Sequence, residues 1–158
     1  NCLKKYSNLK FKFPDAKTKS PLTVQAVLEN LPEPLLFKRG TKKEQIPHHP
    51  NHWAMFPKSR RFYDGSLTSN SKHGRSFRVL KGNKPSWTVA YGNREVHIHP
   101  KCHRRLSVYE AMLLQGLPKK SKDFELLGTL SDQIRQVSDA IPPQIAKAIA
   151  VSIKETLY

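Results

Sequence analysis

Residues 104–118 read RRLSVYEAMLLQGLP, and the fold turns on how this stretch is parsed. Ser107 followed three places later by Glu110 is a capping box. The hydroxyl accepts the backbone N–H of Glu110, and the carboxylate accepts the N–H of Ser107. Val108, Ala111, Met112 and Leu114 then supply an apolar stripe at helical spacing, and Gly116 with Pro118 stops the helix. Further on, Ser131 can cap a second short helix through Ile134 and Val137, while Pro142 and Pro143 suit the first turn of a third. In that third helix Ile145, Ile149, Ile153 and Leu157 recur every four residues, and Ala146, Ala148 and Ala150 allow close approach to a neighbour. Three helices this short cannot bury that face among themselves, so the pattern predicts a partner surface.

Upstream, Trp87, Val89 and Tyr91 alternate with Thr88 and Ala90. Gly92-Asn93-Arg94 intervenes, and Val96 and Ile98 then alternate with His97 and His99. This predicts a β-hairpin with one apolar face and a second face carrying Thr88, His97 and His99. From residue 35 to residue 84 no period persists, and Gly, Pro, Asn, Ser and His interrupt each short run; the segment reads as loop-rich and basic. Residues 23–30 (TVQAVLEN) place Val24, Val27 and Leu28 at helical spacing before Leu31-Pro32-Glu33-Pro34 stops them. The first twenty residues read as an extended arm.

The charge is strongly segregated. Residues 1–105 hold 22 basic and 6 acidic side chains, whereas 106–158 hold 6 of each. A surplus confined to two thirds of the chain implies one face built for a polyanion, with nucleic acid favoured because no basic amphipathic helix is present to lie on a membrane. With 37% hydrophobic residues and a mean hydropathy of −0.61, the apolar supply is thin for 158 residues. Twelve prolines point to many turns. No membrane span or signal-peptide core is visible, and two cysteines without a CxxC favour a reduced, cytoplasmic chain.

Two of these stretches resemble a known family. Residues 104–118 look like the penultimate motif of DNA (cytosine-5) methyltransferases, R-x-L-T-x-x-E-A-x-x-L-Q-G-F-P. Residues 133–150, QIRQVSDAIPPQIAKAIA, resemble the last motif, Q-x-x-Q-x-G-N-A-V-P-P followed by a helix. They stand in the family's order and at about its spacing. Thr88-Val89 and Gly92 match the end of the family's target-recognition region, and residues 23–34 look like the T-V-x-x-A-x-x-x-L-P segment that follows the catalytic half in many members.

The resemblance implies an α+β chain: a small, irregular, β-rich target-recognition domain whose short C-terminal helices pack on a doubly wound α/β methyltransferase lobe not present here. It divides the chain into an arm (1–20), a DNA-reading region (21–104) and helices completing the methyltransferase lobe (105–158). It also implies a function, in which the chain reads duplex DNA in the major groove while a partner lobe or large subunit methylates a flipped-out cytosine from S-adenosylmethionine. The setting it implies is a bacterial restriction-modification system.

The family's Pro-Cys nucleophile has no counterpart, since Cys2 follows Asn1 and Cys102 follows Lys101. A Glu-Asn-Val tripeptide and a glycine-rich cofactor turn are also absent, so catalysis by this chain alone is not expected. The family includes enzymes divided just before this region, and a split subunit or a fragment both fit. In the last motif Ser138 and Asp139 replace the usual Gly and Asn; with Ala140 and Ile141 they form the turn that the resemblance places against the cofactor. Leu113 and Leu117 stand where Arg and Phe are common, and both suit packing.

For base reading the candidates are Thr88, Val89, Tyr91, Gly92, Asn93, Arg94, Glu95 and His97, because Arg and Asn bond base edges in pairs and Glu accepts from a cytosine amino group. Lys58, Arg60, Arg61, Arg75, Arg78, Arg104 and Arg105 read as phosphate grips. His97, His99, Cys102 and His103 form one cluster and His48, His49 and His52 another. Their spacing matches no closed zinc site and no acidic residue completes a nuclease, so they read as surface or DNA-facing histidines rather than metal ligands. Two other classes stay open: an autonomous basic DNA-binding protein and a histidine-metal nuclease.

Overall fold

A computed structural model describes residues 10–15, 20–68, 76–88, 97–119 and 124–157. The capping box forms as read. Ser107 Oγ accepts from the Glu110 N–H at 3.1 Å and the Glu110 carboxylate accepts from the Ser107 N–H at 2.8 Å, opening helix α2 (Val108–Leu114). The helix ends at Gly116, whose φ of +89° favours glycine, and a side chain there would also run into the Gln144 amide.

Helix α2 is the centre of the molecule rather than a one-sided surface helix. Val108, Tyr109, Ala111, Met112 and Leu113 are all buried, while Leu114, expected in the stripe, is only half-buried. A helix apolar around most of its circumference is enclosed by its neighbours. Those neighbours are α1 (Val24–Leu28), capped by Thr23, on one side and α3 (Leu130–Asp139) on the other. The cap of α3 is Thr129 and not Ser131. Thr129 Oγ1 and Asp132 make a second capping box two residues earlier than expected. Two candidate caps stand close together, and only Thr129 has an acidic residue three places on. Helix α4 (Pro143–Leu157) starts at the second proline as predicted.

Sheet structure is sparse among the described residues. Strands β1 (Leu35–Leu36) and β2 (Trp53–Ala54) pair in parallel, as do β3 (Arg78–Val79) and β4 (His97–Ile98). The first arm of the predicted hairpin is not a strand at Trp87 and Thr88, and residues 89–96 lie outside the described residues. The second arm exists, but its partner is β3, with a further antiparallel bridge from Ile98 to Arg105. Alternation signals that a strand exists and leaves its partner open. Here the partner comes from the segment with no readable period.

Side-chain bonds hold this irregular region. Asn51 accepts from the Leu126 N–H at 2.9 Å and donates to the Leu126 carbonyl at 2.8 Å and to Gln133 Oε1 at 2.9 Å. Trp53 Nε1 donates to the same Gln133 oxygen at 2.7 Å. Val24 and Leu80 share a buried cluster with Leu106. The core therefore joins segments from both sides of residue 104.

Helix α4 stands apart from that core. Only Ser152 is buried on it, its hydroxyl donating to the Lys12 carbonyl of the arm. Ile145, Ile153 and Leu157 are 52, 43 and 43% exposed. Of the stripe anticipated from the sequence these three are open, while Ile149 is half-buried.

Candidate nucleic-acid interface

Two of the residues proposed to touch DNA are internal. Arg104, expected as a phosphate grip, is 3% exposed; it donates through Nη1 and Nη2 to the two oxygens of Glu110 at 2.8 and 2.9 Å, and through Nε to Glu33 at 2.7 Å. Burial works to lower its pKa, but the two carboxylates outweigh that and raise it. Burial likewise acts to raise Glu33, and Arg104 with His103 overcomes it, holding that carboxyl down to about 2. Arg104 is thus a structural cation, because Glu110 also belongs to the capping box and draws the guanidinium inward. His97 is fully buried in β4 rather than facing DNA. Burial, then the charge of Arg78, pushes its pKa down to about 4.

The histidines 48–52, read as surface groups, include two more internal ones. His52 Nε2 donates to the Pro32 carbonyl at 2.8 Å, which leaves Nδ1 to accept the Ser107 hydroxyl at 3.0 Å. His49 stacks on Tyr109 with ring centroids 4.1 Å apart, and its Nε2 lies 3.2 Å from the Phe124 carbonyl. These neutral rings surround Tyr109, whose own N–H bonds the Asn51 carbonyl. Among the described residues no three His, Cys, Asp or Glu side chains gather as a metal site. Cys102 is half-buried and burial raises its thiol pKa, the opposite of an activated nucleophile.

Two of the remaining cations share a groove. Lys58 and Arg105 line it, at about 870 Å³, while Arg60 and Arg61 are exposed on the 3-10 turn Arg60–Phe62, whose Phe62 is also part of the lining. Arg105 Nη1 donates to the Ser76 carbonyl at 2.9 Å, and its guanidinium lies 4.8 Å from the Phe77 ring centre and 5.9 Å from that of Phe62. Arg61 covers Phe77 as well, at 5.0 Å. Stacking on rings fixes each guanidinium plane without neutralising its charge. Arg78 is half-buried in β3. The sequence reading missed Lys38 and Arg39, which join the groove from the segment after β1. A basic pair following Phe37 at a strand end is the local signal that could have found them.

Thr88 is exposed beside Trp87, whereas Val89, Tyr91, Gly92, Asn93, Arg94, Glu95 and Arg75 lie outside the described residues. Of the four residues expected as a turn, Ser138 and Asp139 are the last residues of α3, Ala140 caps it, and Ile141 lies in the short link to α4. Asp139 and Ala140 are exposed there, Ile141 is 66% exposed, and Ser138 is half-buried. The buried side of this helix end is braced by Gln115, whose amide donates to the Val137 carbonyl.

Histidines whose pKa burial lowers make stability pH-dependent: His97 and His99, with His52 shifted in the same direction. His97 and His99 both fall to about 4, in each case first through burial. Their unfolded pKa is near 6.5, so the neutral rings contribute their full stability above that value. It is lost as pH falls from about 6.5 toward 4, because the unfolded chain takes up the protons first. The unfolding free energy from urea titrations should therefore drop by roughly a few kcal/mol over this window, with the midpoint falling in step, and a flat profile would rule the effect out. In a His97→Gln variant the drop should shrink.

The fold resembles that of a solved Escherichia coli chain described as a DNA modification methyltransferase encoded within a prophage. The TM-score is 0.68 at 19% identity, covering 97% of this chain and 53% of that one. At the level of sequence, the pattern of the C-5 cytosine-specific DNA methylases matches residues 2–155, and the chain belongs to that family. Type II methyltransferase M.NmeDI of Neisseria meningitidis serogroup C is 32% identical over 92% of this chain and 36% of its own length. Type II methyltransferase M.AquIB of Picosynechococcus sp. is 33% identical over 72% of this chain and 87% of its own. The chain thus spans about a third of M.NmeDI but most of M.AquIB. The family uses S-adenosylmethionine as methyl donor. No described helix is long and apolar enough to cross a membrane.

Proposed function

We propose that the chain is the DNA-recognition part of a C-5 cytosine methyltransferase. It binds duplex DNA sequence-specifically in the major groove while a separate catalytic lobe or large subunit methylates a flipped-out cytosine at carbon 5. The observation that carries this reading is the open apolar stripe of α4, Ile145, Ile153 and Leu157, on a molecule that also presents a one-sided basic groove. A self-sufficient binder would bury that stripe. The raised thiol of Cys102 supports the view that the nucleophile comes from elsewhere. M.AquIB, a methyltransferase chain of nearly this extent, supports a split enzyme, and a type II restriction-modification setting goes with it.

For S-adenosylmethionine this chain would supply one wall. Asp139 offers a carboxylate acceptor suited to a ribose hydroxyl, and Ile141 an apolar surface suited to a flat ring. Both are exposed beside α4, where a catalytic lobe would cover them.

The deciding assay is transfer of labelled methyl groups from S-adenosylmethionine to DNA, by the chain alone and mixed with a separately produced catalytic lobe. Activity only in the mixture is expected. Tight DNA binding by the lone chain without activity in either case would point to an independent DNA-binding protein instead.

Within this reading the two kinds of arginine separate by assay. Arg94→Ala should relax selectivity at one base pair, costing about 1–3 kcal/mol on the cognate duplex alone. Arg60→Ala should weaken all duplexes alike and lower the salt slope by about one. Equal losses for Arg94→Ala on cognate and random DNA would remove it from the readers.

A further inference from the structure

The basic groove carries more apolar surface than phosphate binding explains. Phe37 and Phe56 line it at 40 and 41% exposure, among Lys38, Arg39, Lys58 and Arg105. Phe37 directly follows β1 and Phe56 lies two residues beyond β2; the Phe37 N–H bonds the Ala54 carbonyl at 2.8 Å, so the two segments enter the groove side by side. Phe37 is held edge-on against Trp53 with ring centroids 5.5 Å apart, and Trp53 is itself fixed by Gln133. On the opposite side Phe62 and Phe77 support the Arg105 guanidinium. No acidic side chain lines the groove among the described residues.

From this juxtaposition of exposed phenylalanine rings and cations we infer that the groove holds an unpaired nucleotide of the bound DNA, its base against Phe37 or Phe56 and its phosphates on Lys38, Arg39 and Lys58. The inference rests on the DNA-binding reading above and extends it. A paired base is stacked on both faces and offers nothing to an aromatic ring, so duplex DNA would use the cations and leave the rings in water. An unpaired base presents a free π-face and an adjoining phosphate, the two features that rings interleaved with cations recognise without regard to sequence. A dry protein contact fits the groove poorly, since it would have to desolvate Lys38, Arg39 and Lys58 in a lining that holds no carboxylate. No cysteine or carboxylate lines the groove among the described residues, so its lining offers a base stacking and phosphate contacts rather than reacting groups.

The test is fluorescence anisotropy of the full chain with three labelled DNAs: a perfect duplex, the same duplex with one bulged nucleotide, and the same bulge made abasic. The bulged duplex should bind about tenfold tighter than the perfect one, and the abasic bulge should lose that advantage. The Phe37→Leu/Phe56→Leu variant should bind the perfect duplex as before and no longer prefer the bulge. Equal affinity for bulged and perfect duplex, or full retention of the preference by the abasic bulge, overturns the proposal. Should the variant fail to fold, the abasic comparison on the unaltered chain still decides. Binding of the bulge with none of the perfect duplex would uphold the groove and overturn the duplex-reading assignment; no binding of any probe would overturn both.

Discussion

Glu110→Ala is expected to destabilise the chain by about 3–5 kcal/mol, enough to leave much of it unfolded at ambient temperature, since domains of this size have only about 5–15 kcal/mol in hand. Glu110 is 1% exposed and does three things at once. It neutralises the buried Arg104 through two hydrogen bonds, it accepts the Ser107 N–H, and by fixing Ser107 it keeps the hydroxyl that His52 needs. Alanine abolishes all of them and strands a guanidinium that is 3% exposed, with only Glu33 left as a charged partner. Urea unfolding measures the effect directly. A loss below about 1 kcal/mol would mean that Arg104 finds water on truncation and that the buried pair is not the keystone described above. Glu110→Gln keeps the cap and removes the charge, so it should fall between the two.

The second large effect is on assembly. The double variant Ile145→Asp/Ile153→Asp should leave the melting temperature of the lone chain nearly unchanged, because both side chains are about half exposed there. Methyl transfer by the reconstituted mixture should fall at least about 100-fold. An unpaired carboxylate buried at an apolar contact costs at least about 2–3 kcal/mol, and each 1.4 kcal/mol is a factor of ten in association. Rates recovered at high concentration of the catalytic lobe would place the loss in binding rather than in chemistry. Undiminished activity at low concentration would take α4 out of the interface and remove the main support for a partner-dependent enzyme.

The parts legible in the sequence were those whose cause is local. The capping box at Ser107 and Glu110, the stop at Gly116, the start of α4 at Pro143 and its open stripe depend on residues within a few positions of one another, and each is found in the structure. Where two local signals competed, as Thr129 and Ser131 did for the cap of α3, the one with an acidic residue three places on prevailed. The motifs also pointed to the family, which the match over residues 2–155 establishes.

Tertiary structure alone decided the rest. Nothing in the run from His48 to Trp53 announces that Asn51 will bind Gln133, that His52 will bind Ser107 or that His49 and His52 will enclose Tyr109, because these partners lie from 55 to 82 residues apart. The same holds for the pairing of β4 with β3, since nothing local to Arg78 and Val79 marks them as its partner. The errors have one origin. Arg104 and His97 were placed on the surface because charged and polar residues usually are, and a sequence does not show when a buried carboxylate or a core strand draws them in. The sequence by itself determined that the basic surplus lies in the first two thirds of the chain. Which cations share a groove, and that aromatic rings stand among them, was settled by chain segments brought together from residues 37, 56 and 105.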